Sequence, residues 1–136
     1  SEEYIEAQED RIKKYTQISR LNSLDELDDL KTDIQKTFGQ IPPELENLML
    51  IALLKNLAIK QKIQRILITQ NVCKIFFYNS RENDENGEII PVKIAEKLND
   101  KIANLSIENQ PVISFNNQNK NIRKKIFGLI EFLDIN

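Results

Sequence analysis

Apolar residues in the first part of the chain recur at helical intervals. From Tyr4 to Leu21, Ile5, Ile12, Tyr15 and Ile18 stand among charged positions, a pattern that predicts an amphipathic helix. Ser23 and Glu26 form a Ser-x-x-Glu box. In such a box the serine oxygen accepts from the third backbone N–H and the glutamate reaches back, so a second helix is predicted to start at Ser23. Its stripe of Leu27, Leu30, Ile34 and Phe38 is expected to face the core, and Gly39 follows where a left-handed residue stops the helix. Gln40-Ile41-Pro42-Pro43 reads as a rigid connector, with Pro43 suited to a first helical turn. A third helix, about Pro43 to Lys60, is apolar on most sides through Leu48-Met49-Leu50-Ile51-Ala52-Leu53-Leu54, as for an element covered all round.

Beyond Gln64 the period changes. Ile66 and Ile68, then Val72, Ile75 and Phe77, flank Gln70-Asn71 in short β-branched and aromatic runs that predict a hairpin. The tip reads Asn71-Val72 rather than Asn-Gly, which leaves the turn type open. Asn79 to Gly87 reads as a mobile polar loop. Pro91 opens a predicted fourth helix through Ile94, Leu98 and Ile102, ending near Asn104, and Val112 to Phe115 reads as a short strand. Ile122, Ile126, Leu129, Ile130 and Leu133 mark a closing amphipathic helix. The order predicts an α+β domain with helices packed on a small antiparallel sheet.

Length and composition narrow the function classes. At 136 residues a single domain, 1–136, is expected, and the opening Ser1-Glu2-Glu3 suggests a piece of a longer protein with no signal peptide. The longest apolar run, Leu48 to Leu54, falls well short of the ~20 residues a membrane span requires, so no membrane is expected, and the apolar neighbours of the lone Cys73 favour a reduced thiol and a cytoplasmic location. The chain has no histidine, which removes His-dependent nucleophilic catalysis and HExxH zinc sites. Three glycines and no GxxxxGK[ST] loop argue against a bound nucleotide, and no cofactor is expected. The lone Cys73 reads as a small core residue of a strand. A net charge of −2 gives no global support for a sequence-independent grip on nucleic acid.

Candidate chemistry is confined to charge clusters. Glu2, Glu3, Glu6, Glu9 and Asp10 lie around a helix rather than converging as metal ligands must, and read as a solvated first turn. Asp25, Glu26, Asp28, Asp29 and Asp33 surround Lys31 on the second helix, a solvated face that can also mate with an arginine-lined partner. Two basic groups, Lys55, Lys60, Lys62 and Arg65, then Lys120, Arg123, Lys124 and Lys125, support an alternative as a nucleic-acid-binding domain. They lack interleaved exposed aromatics, and Lys124 and Lys125 are expected to snorkel or line the helix surface.

Four segments carry a resemblance. Arg11-Ile12-Lys13-Lys14-Tyr15, Ser23-Leu24-Asp25-Glu26-Leu27, Phe38-Gly39-Gln40-Ile41-Pro42, and Leu48 with Ala52-Leu53-Leu54-Lys55 resemble in order and spacing the C-terminal domain of bacterial transcription-repair coupling factors, the Mfd family. The match covers roughly residues 4–62. In the family's E-L-x-D-R-F-G element the first acid is matched by Asp33, while Lys36 and Thr37 stand where the family has a second acid and an arginine. The resemblance implies a non-catalytic regulatory domain. Its parent is implied to be an ATP-driven DNA translocase of helicase type, a hydrolase that removes stalled RNA polymerase and recruits the excision-repair protein UvrA. The domain is implied to dock on the N-terminal UvrB-like domain of the same protein and to mask its UvrA-binding surface, an autoinhibitory role in DNA repair. On the second helix Glu26, Asp29, Asp33, Lys36 and Thr37 are then the expected partner interface, with Asp29 and Asp33 meeting arginines.

Overall fold

The computed structural model describes residues 2–78, 104–106, 110–116 and 120–134. The chain divides into two compact units, Ser1–Asn56 and Leu57–Asn136. In the first, helix α1 spans Glu2–Ser19 and α2 spans Leu24–Phe38, while α3, Pro43–Lys60, begins in the first and has its last four residues in the second.

Local chemistry sets the ends of α2. The Ser23 hydroxyl accepts from the Glu26 N–H at 3.1 Å, an N-cap as expected. The Glu26 carboxylate accepts from the Asn22 N–H at 3.2 Å, one residue before the serine that a reciprocal box would use. At the other end Gly39 takes φ +86° and its N–H donates to the Gln35 carbonyl. Asn56 serves the end of α1, where the last carbonyls of a helix lack intrahelical donors. Its side-chain amide donates to the Ser19 and Leu21 carbonyls at 2.9 and 2.7 Å.

Leu27, Leu30 and Ile34 bury the inner stripe of α2, but Phe38 is 59% exposed. The expectation that Phe38 joins the core is therefore corrected: it sits in the last residue of the helix, where the chain turns away. Helix α3 is also not covered all round. Met49, Leu50, Leu53 and Leu54 are buried, whereas Leu48 and Ile51 are exposed, because a run apolar at every position must present some of its members to solvent.

The second unit holds a sheet of four strands among the described residues: β1 Ile63–Ile68, β2 Val72–Phe77, β3 Asn104–Ser106 and β4 Val112–Asn116, in the order β1-β2-β4-β3 and antiparallel throughout. Lys62, at φ 62°, makes the turn from α3 into β1. The β1–β2 turn is held by Thr69, whose N–H donates to the Val72 carbonyl at 2.8 Å. Neither Gln70 nor Asn71 has a positive φ, so the primed turn types do not occur here.

Alternation on β2 and β4 buries Cys73, Ile75 and Phe77 with Ile113 and Phe115. Helix α4, Ile122–Leu133, lies on that face: the Phe115 and Phe132 rings meet edge-on at 6.4 Å, and Leu129, Ile130 and Leu133 are buried. Ile122, read as part of the inner stripe, is 58% exposed. The polar loop expected at 79–87 and the helix expected at 91–104 lie outside the described residues, except that Asn104 begins strand β3 instead of ending a helix. The architecture is α+β, as the order of elements predicts.

Candidate partner interface on the second helix

At about 100° per residue, positions 26, 29, 33, 36 and 37 fall within roughly a third of a helix circumference. Since Leu27, Leu30 and Ile34 are buried, the band carrying Glu26, Asp29, Asp33, Lys36 and Thr37 faces outward, and all five are exposed. Glu26, Asp29 and Asp33 border a concavity of about 400 Å³ with Gln17, Arg20, Leu21 and Leu30.

The three carboxylates differ in what already holds them. Glu26 is engaged by the Asn22 N–H. Asp33 lies 2.6 Å from the Lys14 ammonium, in an exposed pair of little net worth. No hydrogen bond or ion pair engages the Asp29 carboxylate among the described residues. A cation would thus reach Asp29 without displacing a neighbour, whereas Asp33 is already paired with Lys14. The Thr37 hydroxyl donates to the Asp33 carbonyl within the helix at 3.1 Å, and Lys36 lies in the last turn, where the helix dipole favours a cation.

A second groove, of about 380 Å³, brings together residues from separate segments of the resemblance. Arg11, Tyr15, Phe38 and Pro42 line it with Ile18 and Ile34. Reading Phe38 as core hid this groove. The recurrence of Tyr15, Phe38 and Pro42 in the matched segments was the available signal.

The basic groups fare unevenly. Lys125 is buried rather than on the surface, and its ammonium donates to the Thr69 and Gln70 carbonyls at 3.0 and 2.6 Å, which takes it from any phosphate. The Arg65 guanidinium sits 4.4 Å from the centre of the Phe76 ring. Burial pushes the Cys73 thiol up to about 12, an effect that the Lys125 charge only partly opposes, so the thiol is protonated and inert at neutral pH. Among the described residues no cluster of His, Cys, Asp or Glu could hold a metal ion, and no helix is long and apolar enough to cross a membrane. The side chains of Glu2, Glu3 and Glu6 lie outside the described residues.

Comparison with known proteins adds two findings. The model of the TRCF domain family matches residues 1–87, which contain α1, α2, α3 and the β1–β2 hairpin. The chain is also similar to the crystal structure of the C-terminal domain of a transcription-repair coupling factor, with 22% identity and a TM-score of 0.68 over 97% of this chain and 81% of that one. At that identity the likeness shows a shared fold. No curated protein matches the chain.

Proposed function

The chain belongs to the TRCF domain family, and from that membership we propose that it is the non-catalytic regulatory module of a transcription-repair coupling factor, docking by the outer face of α2 on the UvrB-like N-terminal domain of the same protein. Docked there, it covers the surface through which UvrA is recruited. ATP-driven movement of the parent protein along DNA against a stalled RNA polymerase, in the cytoplasm, releases it. The observation that carries the proposal is the exposed polar band of α2, within the matched span, with carboxylates along a concave surface.

Asp29 and Asp33 are the residues to meet arginines of the partner. Removing one side of a buried carboxylate–arginine pair at an interface costs ~2–5 kcal/mol, whereas a charge on the rim changes little beyond the association rate. Glu26 supports the same charge, and Lys36 and Thr37 contribute contacts different from the acid and arginine that the family pattern has at those positions.

The test is the Asp29→Lys, Asp33→Lys double variant in the full-length protein. We expect more UvrA in a pull-down, together with an unchanged circular-dichroism melt of the isolated domain. Unchanged UvrA capture with an intact fold removes this face from the proposal.

A further inference from the structure

The whole-chain charge of −2 conceals a division. Residues 57–136 carry twelve lysines and arginines against nine carboxylates, whereas residues 1–56 carry seven against twelve, and of those nine carboxylates Glu131 and Asp134 lie among the described residues. Glu131 lies on α4, the helix packed on the inner face of the sheet, and Asp134 directly follows it. None of the four strands contains an acidic residue. The four strands therefore carry two basic residues, Arg65 and Lys74, and no carboxylate of their own to repel an anion.

Register defines what the outer face of the sheet presents. Arg65 stands opposite Phe76, and Leu67 opposite Lys74. Lys74 stands opposite Ser114, and Phe76 opposite Val112. These positions alternate with the buried Cys73, Ile75, Phe77 and Ile113, so they share the other side of the sheet. Arg65 and Lys74 are exposed and Phe76 is half-buried. The Phe76 ring, on a central strand, supports the Arg65 guanidinium at 4.4 Å. Such stacking restricts a long side chain and leaves a planar cation at the surface.

We infer that the outer face of this sheet binds single-stranded nucleic acid, with a base stacking on the Arg65 guanidinium and Lys74 taking a neighbouring phosphate. Guanidinium planes and aromatic rings are the surfaces on which unpaired bases stack. Arg65 and Lys74 are diagonal neighbours across the β1–β2 ladder, roughly 7–8 Å apart at the backbone, so their long side chains can serve a base and an adjacent phosphate together. A duplex hides its bases from this platform, and a peptide of glutamates offers no ring to stack. The inference is independent of docking through α2, which lies in the other unit.

Fluorescence anisotropy with the 136-residue chain tests it, using labelled oligo-dT, oligo-U, a duplex of equal length and a poly-glutamate peptide. We expect binding to one or both single strands at low salt, with log K falling against log salt at a slope of about −0.7, from the one phosphate contact at Lys74. Which single strand is preferred decides between DNA and RNA. Arg65→Lys should keep the slope and weaken binding about fivefold or more, the loss of one stacked base. Arg65→Glu with Lys74→Glu should abolish binding, while Lys124→Glu, on the exposed start of α4, should leave it unchanged. A circular-dichroism melt of each variant establishes that it is folded. The inference is overturned if no single strand binds, if the duplex or poly-glutamate binds as tightly, or if the folded double variant binds like the parent.

Discussion

Most polar contacts of residues 1–56 are exposed and close in sequence: Ser23 with Glu26, Glu26 with Asn22, Thr37 with Asp33. The long-range exceptions are Lys14 with Asp33, Lys31 with Glu46, and Asn56, which reaches back to Ser19 and Leu21. In residues 57–136 the buried polar side chains work over long separations. Gln61 donates to the Leu133 carbonyl at the end of α4, 72 positions away, and Lys125 holds two carbonyls of the β1–β2 turn. A hydrogen bond lost at the surface is replaced by water, whereas one lost inside leaves a polar group unsatisfied. The first unit can thus exchange its surface polar contacts for those of a partner at small cost. In the second, polar side chains hold the sheet and helix together.

Lys125→Met puts this contrast under the greatest strain. It keeps the length of the side chain but removes both donors, each a charged hydrogen bond worth about 1.5–3 kcal/mol, so unfolding in urea should show a loss of ~3 kcal/mol. A variant as stable as the parent would mean that water serves the Thr69 and Gln70 carbonyls equally well, and the contrast would fail.

Gly39→Val asks whether backbone geometry, rather than polar contacts, is the sensitive point of the first unit. A Cβ at Gly39 meets nothing within 4 Å, so the cost is that of holding a β-branched residue at φ +86°. About 2 kcal/mol is expected from a thermal or urea melt. A melt like the parent's would show that the chain relaxes there, and that α2 ends elsewhere in solution.

The smallest effect sharpens the comparison from the other side. Lys14 and Asp33 are 24% and 55% exposed, and a double-mutant cycle through Lys14→Ala and Asp33→Ala should give a coupling below about 0.5 kcal/mol. A coupling well above 1 kcal/mol would place an essential polar contact on the surface of the first unit.

Much of the fold was legible in short stretches of chain. Ser23, Gly39 and Pro43 act on their nearest neighbours, and α3 spans Pro43–Lys60 as read. The β1–β2 hairpin and α4 followed from their periods. Strand β3 was not legible, because Asn104-Leu105-Ser106 is too short to show alternation and gains its pairing from β4. The exposed band of α2 could be read from the inner stripe, but not that Lys14 holds Asp33.

A hydrophobic period determines which face of an element turns inward, and a cap residue determines where the element ends, since both depend on neighbours a few residues away. Neither says what stands opposite. Phe38 completes the inner stripe of α2 in sequence, yet only the turn of the chain after it decided that the ring lies in a groove with Arg11 and Tyr15. Lys125 looks like any surface lysine beside an apolar stripe. Its burial was decided by a hairpin more than fifty residues earlier, which brings two carbonyls to its ammonium and so satisfies a charge that the core would otherwise exclude.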